Sequence, residues 1–438
     1  MDEDLIRDNY QSPPTLNSLD KMTIEQTLSQ TPELAAEPSR GFAPPEGAID
    51  LYAISNLADR GASLPPSIFN IHKTDYSKPE LFLGQPGGLL DTLHSAYPRL
   101  FTLYEELKAM DWKHNEYNYR SCVEQFKTCN PSIYRMMIRT LAWQWEGDSA
   151  AARGLADILI PLCTATESRV GYGRIIDNEN LHALTYSEIV RGSFEDASVI
   201  LSEVMAVKEA HGRMIVVGEI MHRARLASLE WQTTGIRTPE IEQAVMLLIA
   251  AIYMLERIQF MASFAVTFGI CEMRMFTPIG EAVQIIARDE YDNHVPFGEE
   301  VFKQLMMTEW GQAAWKVVRP TLITAMTELL QNEMSFVDYL HANGDELPGV
   351  PAQKFKDWSL YNGRHVAIVF DVLPEVEAAL GLTMPTELPL NYMRDWININ
   401  EKQSSPQEQD NNQYLFNTVS TDNVSKEVID VGMEFDFE

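Results

Sequence analysis

Two stretches of this chain place oxygen and nitrogen donors one helical turn apart. Glu179 and His182 in ENLHALTYSEI are separated by three positions, and Glu290 and His294 in IIARDEYDNH by four. Residues at i, i+3 and i+4 share a helical face, so each pair can offer a carboxylate and an imidazole to one metal ion. Asp148 in WQWEGDSAAARG and Glu256 in an apolar run add carboxylates, and Asp289 adjoins Glu290. Bundles that build a dinuclear centre use this inventory: one carboxylate from each of two helices and Glu-x-x-His from two others. Tyr186 lies one turn beyond His182, so its ring projects beside any metal held there. An oxidising metal pair next to a phenol in an apolar pocket is the requirement for making and keeping a tyrosyl radical. The pattern is not unique, because Glu219 and His222 in VVGEIMHRAR form another Glu-x-x-His. Spacing by itself does not choose between that pair and Glu290 with His294. Arg223 follows Glu219 at i+4, which suggests an exposed ion-paired face there. Each motif has a plain alternative: a solvated helix face, a core tyrosine, or a buried Glu256 paired with Arg257.

Donors so spaced need helices to carry them, and the chain predicts little else. From about residue 90 to about residue 380, apolar residues recur at spacings of three and four, as in LLDTLHSAYPRLFTLYEELKAMDW and EDASVILSEVMAVKEAHGRMIVVGEIMHRARLASLEW. Sustained period-two alternation is almost absent, so the body is all-α. Residues 1–64 are rich in Pro, Ser, Thr and acids, which reads as a polar extension, and EKQSSPQEQDNNQ opens a polar, acidic C-terminal segment over 396–438. The expected organisation is therefore an extension over 1–64, a helical domain over 65–395 and a tail over 396–438. Residues 244–271 are apolar enough to span a bilayer, but Glu256, Arg257 and Gln259 sit at the centre, where charge is costly in lipid. A helix buried inside a bundle is the expectation, with no membrane. A buried Glu256 must then be protonated, paired or metal-bound.

Composition narrows the role. The chain has 63 acidic and 34 basic residues, a formal charge of −29, which argues against nucleic acid as a ligand because phosphates need a basic footprint. Its four cysteines (Cys122, Cys129, Cys163, Cys271) form no CxxC, so neither a thiolate zinc site nor a disulfide framework is expected. The acidic, polar start MDEDLIRDNY does not read as a secretory signal, and a cytoplasmic protein is expected.

The motifs and their order resemble the small, radical-generating subunit of class I ribonucleotide reductase, over roughly residues 80–415. The resemblance is carried by ELFLGQP, the tryptophan of MDWKHNE, GDSAAARG, ENLHALTYSEI, YMLERIQFMASFAVTFGICE, IIARDE and DYLHANGD. It implies a ferritin-like helical bundle whose core holds an oxo-bridged diiron centre, with a mixed Mn/Fe pair as an alternative loading. Asp148, Glu179 and His182 would bind one ion, and Glu256, Glu290 and a histidine the other. Tyr186 resembles the radical tyrosine, and Phe260, Phe264 and Ile286 resemble its apolar pocket. Trp112 and Asp289 resemble the pair that relays an electron towards His182, and Tyr414 in NQYLFNTV the tail tyrosine that hands the radical on. The implied activity is reduction of ribonucleoside diphosphates to deoxyribonucleotides with a large subunit, docked through the C-terminal tail, by a homodimer of this chain. Another O2-activating diiron or Mn/Fe oxidase of the same fold, and a non-catalytic helical scaffold, are the rival readings.

One position departs from that pattern. The family has Glu-x-x-His after IARD, whereas here Asn293 stands three residues after Glu290 and His294 comes one later. A one-residue π-bulge would bring His294 into the site. Without one, Asp292 or Asn293 would complete the second ion's ligands. His294 is favoured, since imidazole binds iron far better than a neutral amide.

Overall fold

A computed structural model describes residues 66, 70 and 74–397. The expected extension over 1–64, Tyr414 and the tail beyond Ile397 lie outside the described residues. Among these, the regular structure is helical, with two isolated bridges, Phe82 with Cys163 and Leu347 with Val350, in place of a sheet.

Four long helical units make the centre. The first is α3, Pro131–Gly154, which follows α1 (Pro98–Lys108) and α2 (Arg120–Thr128). It starts where Asn130 accepts a hydrogen bond from the Ser132 N–H at 2.8 Å and Pro131 takes the first helical position, where a missing N–H costs nothing. It runs into a π-turn, Leu155–Leu159, and a 3-10 turn, Ile160–Leu162. The second is α4, Thr166–Ser193. After α5 (Ala197–Met205) and α6 (Lys208–Thr234) comes the third unit: α7 (Pro239–Met254), the π-turn Leu255–Phe260 and α8 (Met261–Cys271), unbroken from end to end. Thr238 caps it by accepting from the Ile241 N–H at 3.3 Å, with Pro239 at the first position and Glu240 and Glu242 in the first turn, complementing the helix dipole. The fourth unit is α9 (Thr277–Arg288), the π-turn Asp289–His294 and α10 (Val295–Met306). Pro296 enters this unit directly after its π-turn, and the widened turn accommodates a residue with no N–H to donate. Around these pack α11 (Glu309–Leu340), α12 (Ala352–Val369), α13 (Leu373–Leu380) and α14 (Tyr392–Ile397).

The apolar third unit is a core element. In Pro239–Cys271, mean hydropathy over the most apolar window reaches 1.7, and 89% of that window is buried by neighbouring helices. Helices α6, α10 and α11 pack on α7, while α3, α9 and α12 pack on α8. Its apolar surface is thus spent on protein contacts, and the hydrophobic effect supplies its stability.

Close approach of α4 to α10 depends on Gly171. A Cβ there would lie 2.1 Å from Cζ of Phe297, a buried ring that also packs edge-on against Tyr172 at 5.1 Å. Because two helices and a rigid ring must give way, Gly171→Ala is expected to destabilise the fold by about 1–3 kcal/mol or more, measured by urea or thermal unfolding.

Local expectations needed three adjustments. The helical pattern from residue 89 begins as helix only at Pro98, and Leu89, Leu90 and Leu93 are exposed in the preceding segment. The long run starting near residue 195 is two helices, interrupted between Met205 and Lys208. Trp396 and Ile397, expected at the start of the tail, belong to α14: Trp396 stacks on Phe268 at 4.7 Å, its Nε1–H donates to Glu272 at 2.7 Å, and Ile397 is buried.

Candidate metal centre

Each central unit carries part of one buried cluster. Asp148 comes from α3 and Glu179, His182 and Tyr186 from α4. Glu256 comes from the π-turn Leu255–Phe260, and Asp289, Glu290 and His294 from the π-turn Asp289–His294. Two overlapping donor groups result: Asp148, Glu179, His182 and Glu290, and Glu179, Glu256, Glu290 and His294. Within each, the donor atoms lie within 4.8 Å of one another, and all six residues are buried. Glu179 and Glu290 belong to both groups, as carboxylates shared between two ions would.

The second π-turn decides which residue follows Glu290 into the cluster. By lengthening the turn, it gives the residue four on from Glu290 the place that the residue three on would take in an α-helix. His294 Nδ1 lies 2.7 Å from Glu290, 3.3 Å from Glu179 and 3.7 Å from Glu256. Asn293 turns away, its amide nitrogen 3.9 Å from the Met110 sulfur, and Asp292, half-buried, joins neither donor group. Burial, first of all, lifts the Asp292 carboxyl to about 6.

On the other side, Asp289 ties two residues together. Its Oδ2 accepts from Trp112 Nε1–H at 2.8 Å and lies 3.1 Å from His182 Nε2. With Nε2–H donating to Asp289, Nδ1 of His182 presents its lone pair to the cluster, 3.1 Å from Glu290. This carboxylate–imidazole arrangement fixes both tautomer and ring orientation. The Trp112 and His182 rings are stacked with centroids 6.0 Å apart.

These donors fit a metal pair. Both carboxylate oxygens of Asp148, Glu179, Glu256 and Glu290, Nδ1 of His182 and both ring nitrogens of His294 have no hydrogen-bond partner although buried. Their short mutual distances are not angled as hydrogen bonds. Unpaired buried carboxylates are costly. Four carboxylates and two neutral imidazoles would instead balance two divalent ions in charge while engaging all four carboxylates and one nitrogen of each imidazole. A dinuclear metal site is what the cluster is built to be. Glu219 and His222, by contrast, are exposed on α6, where Glu219 pairs with Arg223 at 2.9 Å.

Without metal, the same crowding shifts proton affinities. Burial and the charges of Glu179 and Glu256 hold the Asp148 carboxyl well above its usual range; burial and Glu256 do the same for Glu290 and, less strongly, for Glu179. Burial opposes the charge on His294, but the surrounding carboxylates outweigh it and raise its imidazole well above the usual value. Glu256 goes the other way: burial raises its carboxyl, but the close approach of Glu290 and His294 and the charges of His294 and His182 outweigh that and lower it. A group that binds its proton more tightly when folded stabilises fully below its unfolded value and loses that contribution as pH rises through the folded one. Three carboxyls with unfolded values of 3.8 or 4.5 and one imidazole at 6.5 act in that sense, against one carboxyl. Stability of the metal-free protein is therefore expected to fall from about pH 5 to 8, while metal binding releases protons and tightens over the same range. Thermal unfolding with and without Mn(II) across that range checks both trends.

Tyr186 is buried, and its hydroxyl has no hydrogen-bond partner. Burial, and then the charges of Asp148, Glu290 and Glu179, push its phenol well above the ordinary value. Phe260, Phe264 and Ile286 are all fully buried, with the two phenylalanine rings stacked 6.1 Å apart. A second buried charged pair, Arg213 with Glu333, has no signature in the sequence: no spacing in EAHGRMIVV marks a buried arginine.

Known proteins carry the same framework. Residues 91–368 match the family described as ribonucleotide reductase, small chain. The ribonucleoside-diphosphate reductase subunit beta of Enterobacteria phage T4 is 22% identical over 384 residues, covering 81% of this chain and 96% of that protein. In fold, the chain is similar to a ribonucleotide reductase R2 subunit from Clostridium botulinum, with TM-score 0.61, 17% identity, and 77% and 99% of the two chains covered. It is also similar to a dimanganese(II)-NrdF from Streptococcus sanguinis, with TM-score 0.53, 14% identity, and 70% and 98% covered. A match over well more than half the sequence, joined to a buried six-residue donor cluster on four helices, settles the kinship: this chain belongs to the ribonucleotide reductase small-chain family.

Proposed function

We propose that this chain is the radical-generating small subunit of a class I ribonucleoside-diphosphate reductase, active only with its large subunit. The observation that carries this reading is the set of buried, unpartnered carboxylate and imidazole donors with Tyr186 beside it. Asp148, Glu179 and His182 would hold one ion and Glu256, Glu290 and His294 the other. When bound, two iron ions, or an Mn/Fe pair, supply the oxidising chemistry with O2 as the oxidant. Tyr186 gives up one electron and its phenolic proton and becomes a neutral radical. The proton would pass towards the metal site, where Asp148 is the carboxylate whose charge acts most strongly on that phenol. Phe260, Phe264 and Ile286 exclude water and reductants from the ring. Trp112 hydrogen-bonds Asp289, which in turn contacts His182, a continuous path by which an electron passes between the surface side and the centre.

The remaining elements follow from the same reading. Tyr414 and the tail beyond Ile397 carry the oxidising equivalent to, and dock on, the large subunit; the helical domain that ends with α14 forms a homodimer; and the protein works in the cytoplasm. The extension over 1–64 has no assigned task. In the test, the full chain loaded with Fe(II) and O2 is assayed for nucleoside diphosphate reduction with the large subunit, beside a chain ending at residue 410. The full chain is expected to support turnover; the shortened one is expected to keep its radical and lose reduction to background. Reduction undiminished by the truncation overturns the docking role, and no reduction by the radical-bearing full chain overturns the proposed activity.

A further inference from the structure

Glu256 reaches the cluster from a π-turn, and such a turn disrupts the regular hydrogen-bond ladder of its helix. Three successive carbonyls at the end of this one accept hydrogen bonds from side chains. Gln259 O accepts from Arg213 Nη2 at 2.9 Å, Phe260 O from Ser263 Oγ at 2.8 Å, and Met261 O from Trp358 Nε1 at 2.8 Å. Arg213 is the charged donor of the three. It comes from α6 and is fully buried, with Nε donating to Glu333 Oε1 at 2.8 Å and Nη2 to Glu333 Oε2, a fork closed by a residue of α11. Gln259 answers with its side chain: Nε2 donates to Arg213 O at 2.8 Å and to Glu333 Oε1 at 3.2 Å. The guanidinium also lies 3.7 Å from the centroid of the Trp143 ring, and Trp143 packs on Phe260 with centroids 5.2 Å apart.

None of these residues is in the donor cluster, yet both the backbone and the side chain of Gln259 are gripped three positions from Glu256. Burying two charges is expensive, and an apolar pair of similar volume is often as stable. What an apolar pair cannot supply is a charge-assisted donor aimed at the Gln259 carbonyl. We propose that Arg213 and Glu333 are positioning residues for Glu256: they hold the π-turn Leu255–Phe260 in the register that aims its carboxylate into the cluster. This rests on the metal-centre reading above. Its consequence is asymmetric, because Glu256 belongs to one donor group and not to the group of Asp148, Glu179, His182 and Glu290.

The test is a titration of the full-length protein with Mn(II) alone, under argon, following free Mn(II) by EPR. The unaltered chain is expected to take up two ions. The double variant Arg213→Met with Glu333→Met leaves no unpaired charge and is expected to melt within a few degrees of the parent. It should bind one ion as before and the other about 10- to 100-fold more weakly, the loss usual when a ligand's supporting partner is removed. Arg213→Lys, which keeps a charge but not the fork, should fall between the two. Two unchanged affinities in the double variant, or both weakened alike with a lower melting temperature, overturn the positioning role. Should the double variant not fold, Arg213→Lys, which keeps a charge against Glu333 but loses the fork and its donor to the Gln259 carbonyl, must show the one-ion weakening or the proposal fails. Uptake of no ion by the unaltered chain overturns the metal-centre reading instead.

Discussion

His294→Ala is expected to cost the chain one of its two metal ions. In the donor group of Glu179, Glu256, Glu290 and His294 it is the sole nitrogen donor, with Nδ1 2.7 Å from the nearest glutamate oxygen. Removing it leaves carboxylates alone around that position. Loss of an outer partner already weakens metal binding 10- to 100-fold, so loss of a ligand should weaken the second ion by about 100-fold or more. Asn293→Ala, one residue earlier, should change little, because that amide faces Met110. Metal content after desalting, together with Mn(II) titration, gives the answer. Equal loss in the two variants, or retention of both ions in His294→Ala, would show that the π-turn does not deliver the ligand we assign to it.

Tyr186→Phe should separate metal binding from radical chemistry. The Tyr186 hydroxyl is buried without a partner, so removing it relieves an unmet polar group and should leave stability within about 1 kcal/mol. The six donor residues are untouched, and two ions should bind with unchanged affinity. Reduction of nucleoside diphosphates with the large subunit is nevertheless expected to fall to background, because Phe has no phenolic proton to release and no stable neutral radical to offer. Activity in this variant above a tenth of the parent would move the radical to another residue.

Much of this architecture was readable from residue spacing. Glu179, His182 and Tyr186 on α4 follow from ordinary helical geometry, and the apolar run around Glu256 was legible as a core helix because charge at its centre speaks against lipid. Position 294 was harder. A π-turn is set by packing between helices and by what donates to its displaced carbonyls, and neither is written in IIARDEYDNH. The same holds for the break between Met205 and Lys208, which no Gly or Pro marks, and for the loop before Pro98, whose apolar residues have helical spacing but remain exposed. Arg213 and Glu333 lie 120 residues apart and meet only in the folded bundle. Long-range pairs of that kind leave no local trace.

Low-temperature EPR of the full-length protein after loading with Fe(II) and exposure to O2 tests the central claim most directly, since it reads metal centre and tyrosine together. Two iron ions per chain are expected, coupled and silent, with an organic doublet that is absent in Tyr186→Phe. Iron bound and oxidised in that ratio without the doublet, or no stoichiometric iron at all, would contradict it.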